Sequence, residues 1–168
     1  MRYFFVLILT LFLANISNAQ IDVNFNVGSQ PVWGPTGYDY VEYYYLPDIE
    51  TYYYVPQHRY YYYNNGNWIH STNLPSRYSK FDYYNSYKVV INEREPWQNH
   101  KNYKKKYSSY KGRHDQSLIR DSRDSKYYVI EKHPEHYNWI KEQDKKKSNQ
   151  NNKNNDKQDK HDNGKNKK

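Results

Sequence analysis

The chain contains no cysteine, which excludes disulfides, thiolate nucleophiles, thiolate metal ligands and a lipid-modified cysteine behind the leader. Glycine is scarce, with 6 residues in 168. Gly28, Gly34 and Gly37 have neither the spacing nor the following helix of a phosphate-binding loop, which argues against nucleotide chemistry. Past the leader no apolar run approaches the roughly 20 residues that span a bilayer as a helix. Aliphatic residues are few, whereas aromatics make up 19% of the chain and tyrosine alone contributes 23 residues. A chain of this kind must build its core from tyrosine and tryptophan, and each buried hydroxyl or indole N–H then needs a partner. The length allows one small domain stabilised by burial alone.

The opening MRYFFVLILTLFLANISNAQ carries one cation at Arg2, an apolar run from Tyr3 to Leu13, and small residues ahead of Gln20. These are the features of a secretory signal peptide, with cleavage expected between Ala19 and Gln20 and a periplasmic or extracellular destination. The remainder divides into a polar lead (20–32), a Tyr-rich β domain (33–112), a mixed-charge extension (113–140) and a Lys/Asn-rich tail (141–168). Net charge is +8, but Lys and Arg against Asp and Glu count ten to seven in 33–112, five to five in 113–140 and ten to five in the tail. The tail has almost no apolar residue, so it cannot offset its ordering entropy and is expected to be disordered.

Within the aromatic region, YYYLPDIETYYYVPQHRYYYYNN places three tyrosine blocks about nine residues apart. Strands are predicted at 38–46, 50–55, 59–63 and 68–71, broken at Pro47-Asp48, Pro56-Gln57 and Asn64-Asn65-Gly66-Asn67. Asn65-Gly66 is the strongest turn signal, because a type I′ hairpin needs positive φ at both central residues. Alternation points Tyr43 and Tyr45 one way and Tyr44 the other, and opposes Tyr52 and Tyr54 to Tyr53, so both faces of the sheet are aromatic. A further strand at 88–92 carries the β-branched run Val89-Val90-Ile91 and is expected at the centre of the sheet. From Pro96, the spacing of His100, Tyr103, Tyr107 and Tyr110 predicts a docked helix. A short strand at 127–130 and a helix from Pro134 follow. The fold class is thus mainly β: a small antiparallel Tyr-rich meander with a short docked helix.

The order of WGPTGYDY, YYYLPDIETYYYVP, GNW, LPSRY, YKVVIN and PWQNHKNYKKKY resembles a family of small uncharacterised exported proteins of Bacteroidetes. The resemblance covers residues 33–107, implies export and one domain, and brings no activity, substrate or cofactor with it. Tyr54 stands where an acidic residue is expected in that family, so no anionic contact is assumed there.

Candidates for chemistry are sparse. Asp39, Glu42, Asp48 and Glu50 lie in or beside the meander as possible acid and base for glycoside hydrolysis, although acidic residues in turns are commonly solvated. His133 and His136 in HPEH are three apart and could face one side of a helical turn toward zinc or copper. They lack the spacing of a metalloprotease, and His133 precedes a proline that pulls it out of helical geometry. No catalytic residue, metal or cofactor is assigned. Binding fits better. Tyr53, Arg59, Tyr61 and Trp68, on neighbouring strands beside the tight turn, are the candidate ligand-facing residues, offering flat rings and donors to an envelope polysaccharide or other polyanion, together with the basic tail. The alternative is a structural, self-associating protein whose strands add edge to edge, with a hydrolase third. Export argues against genomic nucleic acid as a partner.

Overall fold

The computed structural model describes residues 26–162, with side chains to residue 150. The leader and its cleavage site at Ala19 and Gln20 lie outside the described residues. Five antiparallel strands, β1 (Tyr43–Leu46), β2 (Thr51–Tyr54), β3 (Arg59–Asn64), β4 (Asn67–Ser71) and β5 (Val89–Ile91), form one sheet in the order β4-β3-β2-β1-β5. Two α-helices follow, α1 (His100–Lys106) and α2 (His136–Asp162). The chain is mainly β, as its pattern of tyrosines and turns predicts.

The turns explain the meander. Pro47 opens one four-residue connection, 47–50, and Pro56 is second in the other, 55–58, and each closes on a residue with positive φ, Glu50 at 51° and His58 at 52°. The β3–β4 turn has φ of 47° at Asn65 and 87° at Gly66, the pair of positive values that a type I′ turn requires. It fixes the register Tyr63↔Trp68 and Tyr60↔Ser71, so the predicted hairpin forms as read. The strand predicted at 38–46 shortens to Tyr43–Leu46, because side chains replace its partners further back. The carboxamide of Asn26 accepts from Val41 N–H and donates to Val41 O, and that of Asn92 accepts from Glu42 N–H and donates to Tyr40 O. The apolar run of β5 does not take it to the centre of the sheet. It is an edge strand, paired only to β1 with Tyr44↔Val90 in register, and the meander order already occupies the other side of β1 with β2.

Both faces of the sheet are covered. On one face Tyr43, Tyr45, Tyr52 and Ile91 pack with Tyr103 of α1, and with Trp97 and Tyr107 that flank it. The turn Pro96–Asn99 is 3-10 and runs directly into α1; of the predicted stripe His100 and Tyr103 lie on α1 and Tyr107 caps it, whereas the helix stops at Lys106 and Tyr110 falls in a separate 3-10 turn, Ser108–Tyr110. On the other face Val41, Tyr44, Leu46, Tyr53, Val55 and Tyr60 pack beneath Trp33, Leu74, Tyr78, Phe81 and Tyr83, all of which belong to irregular segments or 3-10 turns. Tyr44, Tyr45 and Tyr52 are fully buried, and each such ring contributes about 1.5–3 kcal/mol relative to exposure.

The packed unit does not stop at residue 112. Val32, Ile119, Tyr127 and Ile130 form a further buried cluster, and residues 32–34 pair with it through Ile119 N–H to Gly34 O and Arg120 N–H to Val32 O. The predicted strand at 127–130 is instead a 3-10 turn, Ser125–Tyr127, capped by the Asp124 side chain. Its tyrosine is buried, and the Tyr127 hydroxyl accepts from Gly37 N–H at 2.8 Å. The helix expected from Pro134 is α2, whose backbone stays helical to Asp162. Nearly all of residues 141–150 are exposed, so this part of the tail buries no face. A helix polar all round and without packing is marginal and exchanges with coil.

Candidate functional site

The two turns at one end of the sheet, 47–50 and 64–67, bring together residues that lie far apart in sequence. Glu50 closes the first of them. Its carboxylate receives Lys104 Nζ at 2.8 Å and Lys111 Nζ at 2.7 Å, with His100 Nε2 at 3.7 Å. Burial opposes its ionisation, but the hydrogen bonds and charges of the two lysines prevail and hold its pKa down to about 2. His100 in turn meets the Tyr52 hydroxyl through Nδ1 at 3.0 Å and packs edge-on against Trp68 with ring centres 4.8 Å apart. Burial lowers the His100 pKa, only partly countered by Glu50, so the ring is neutral at neutral pH.

Beside this hub lies a groove of about 470 Å³, walled by Tyr62, Tyr63, Trp68 and Tyr78 and edged by Arg77, Lys101 and Lys104. Arg77 is placed by the 3-10 turn Ser76–Tyr78. It donates to Tyr63 O at 3.1 Å and lies 4.8 Å from the centre of the Tyr78 ring. One carboxylate, already committed to two ammoniums, faces this set of cations. The groove is therefore electropositive and aromatic, suited to a ring-bearing ligand with negative charge.

The four sequence candidates are not one cluster. Trp68 is half-buried in this groove. Tyr61 lies on the same face of the sheet but stacks on Trp97 at 4.0 Å, with 9° between the rings. That pair lines a second, shallower depression of about 570 Å³ with Glu42, His70, Arg94 and Glu95. Arg59 sits opposite Tyr54 at the far end of β3, away from the tight turn. Tyr53 faces the other side of the sheet, packed against Trp33, where burial pushes its hydroxyl up to about 12 and His58 Nδ1 partners it at 2.8 Å. Among the described residues covering elements occupy both faces of the sheet, so its tyrosines form no exposed ladder. Sequence reasoning missed Arg77, Tyr78, His100 and Lys101. LPSRY and the cationic helix were visible as motifs, but only the fold brings them to the two turns.

Of the carboxylates considered for hydrolysis, Asp48 and Glu50 share the turn 47–50, and Asp39 and Glu42 lie apart from it. Asp39 pairs with Lys126 at 2.7 Å, Asp48 caps Gly112 N–H at 2.7 Å, and Glu42, raised by burial, stands in the second depression. The histidines of HPEH have separate structural partners. His133 is buried, with Nε2 donating to Ile119 O and Nδ1 accepting from Glu135 N–H. His136 Nδ1 meets Tyr128 O at 2.8 Å. Among the described residues no group of three or more His, Asp or Glu is placed to hold a metal ion, and no helix is long and apolar enough to cross a membrane. Comparisons with protein-family models, curated proteins and solved structures find no match to this chain.

Proposed function

We propose that this chain is a non-enzymatic, exported, envelope-associated protein that binds an acidic polysaccharide. The reading moves the contact surface from the sheet faces, which are covered, to the groove at the sheet end. What supports it is the convergence there of Trp68, Tyr63 and Tyr78 with Arg77, Lys101 and Lys104. Aromatic faces stack on the apolar face of a pyranose ring, and a guanidinium fork takes a carboxylate in two parallel hydrogen bonds. The basic tail adds sequence-independent attraction that salt screens within about 10 Å at 0.1 M ionic strength.

Calorimetry of the protein, with and without residues 141–168, against a uronic-acid polymer and a neutral glucan tests this. Salt-resistant binding of the acidic polymer that survives tail removal and is lost in Trp68→Ala and Arg77→Ala, with near-UV circular dichroism unchanged, supports the groove. Binding that disappears with the tail, or that treats both polymers alike, refutes it.

A further inference from the structure

The two edges of the sheet are finished differently. At the β5 edge the Gln116 carboxamide stands in for a sixth strand. Its Oε1 accepts from Lys88 N–H and its Nε2 donates to Lys88 O, both at 2.7 Å. The β4 edge has no such cover. Asn64 and Asn67 flank the two-residue turn and so form a hydrogen-bonded pair. By alternation, Ile69 and Ser71 also bond inward to β3, while Trp68 and His70 turn their N–H and C=O groups outward. No side chain or backbone group among the described residues takes those outward groups.

The residues of this edge make it unusual. Natural edge strands are protected by lysine, proline, bulges or shortness. β4, Asn-Trp-Ile-His-Ser, has no charged residue and no proline, pairs with β3 without a bulge, and is five residues long. On a chain of net charge +8, this uncharged strip sets no like charges of its own against each other. The strand is also complementary to itself. In an antiparallel pair about a two-fold axis at Ile69, Trp68 of each copy opposes His70 of the other and Asn67 opposes Ser71. All five residues are then in register, and both outward residues of each copy are hydrogen-bonded. Ile69, which is 38% exposed, meets its own counterpart in a non-hydrogen-bonded pair, where side chains approach most closely.

We infer that β4 is a homodimerisation edge that joins two sheets into one continuous ten-stranded sheet about Ile69. This does not depend on the polysaccharide reading, since it uses the backbone of β4 rather than the groove.

The absence of cysteine gives a clean test. Ile69→Cys places two thiols across a non-hydrogen-bonded pair, at a separation suited to a disulfide. Asn67→Cys, on the same strand, places them several residues apart. Under mild oxidation the full-length Ile69→Cys protein is expected to form covalent dimer about tenfold faster or more, because a held pair has a raised effective concentration. Analytical ultracentrifugation should show wild-type dimer. His70→Pro removes the outward N–H together with the imidazole that packs on Tyr61, so it should give monomer while His70→Ala, which loses the ring and keeps the N–H, stays dimeric. Monomeric wild type, equal cross-linking rates for the two cysteine variants, or an undiminished dimer in His70→Pro overturns the proposal.

Discussion

On the helix side of the sheet, Tyr43, Tyr45 and Tyr52 meet rings carried by α1 and its flanking turns. On the loop side, Tyr44, Tyr53 and Tyr60 meet Trp33 and Tyr83 from segments without regular structure. The residue type is the same and the covers differ. A helix brings rings at fixed spacing and keeps its lysines at the rim, so its polar work concentrates in one hub at Glu50 and leaves the buried Tyr45 hydroxyl without a partner among the described residues. Irregular backbone brings amides and close approaches. The Tyr44 hydroxyl donates to buried Gln30 at 3.0 Å, and Gly34 sits so close that a Cβ would stand 2.7 Å from that hydroxyl. Among the described residues the loop side has its own unmatched group, Lys88 Nζ. Alternation turns this ammonium away from α1, toward Asp48 and Asp82. Burial lowers its pKa to about 8 despite those two carboxylates, which are occupied in capping Gly112 and the Tyr84–Asn85 turn.

Breaking the helix cover should cost most. Tyr103→Ala removes the buried ring of α1 and its 2.5 Å hydroxyl contact with Glu93, and is expected to destabilise by about 3–5 kcal/mol in urea unfolding. On the loop side Gly34→Ala forces a Cβ against both Tyr44 Oη and Pro31 O, and a loss of about 1–3 kcal/mol is expected. If Gly34→Ala proves neutral, the loop cover is plastic and the contrast between the faces fails.

Lys88→Met should work in the opposite direction, raising stability by about 1–3 kcal/mol at neutral pH, since it replaces a buried amine that has no acceptor. The folded pKa near 8 lies below the ordinary 10.5, so the unfolded chain binds more protons between those values and wild-type stability rises with pH there. The advantage of Lys88→Met should therefore be full below pH 8 and shrink above it. Taking the difference between the two proteins cancels most of the tyrosine ionisation. A constant difference from pH 7 to pH 10 would show that Lys88 is not neutralised by burial.

The smallest effect concerns the hub. Glu50→Gln is expected to cost about 1 kcal/mol at pH 7. Because the folded pKa of Glu50, about 2, lies below the ordinary 4.5, that contribution is present above pH 4.5 and is lost as pH falls toward 2. Wild type and Glu50→Gln should accordingly converge in acid.

The sequence carried the hairpin and the helix plainly, through Asn65-Gly66 and through the stripe His100, Tyr103, Tyr107. It carried the aromatic character of both faces, but not which rings would be covered, because alternation says where a tyrosine points and nothing of what comes to meet it. Tyr53 was therefore read as a ligand contact and is core. Lys88-Val89-Val90-Ile91-Asn92 looked central by composition, yet strand order is decided by the short turns of the meander, which leave β5 only an edge. Residues 113–140 read as an extension because their buried apolar members, Leu118, Ile119, Tyr127 and Ile130, are scattered, and only the fold gathers them. The groove shares this difficulty. Trp68 was visible, whereas Arg77 and Lys101 join it through contacts distant in sequence.

Asn26, Asn92 and Gln116 each complete the sheet by using one carboxamide as both donor and acceptor to backbone. Such a joint is sound only while the amide remains an amide. Hydrolytic loss of ammonia would turn each into a carboxylate, keeping the acceptor but placing a negative charge where a donor had met a carbonyl. Deamidation at these three carboxamides would therefore loosen the sheet at its margins, where they meet Val41, Tyr40 and Lys88.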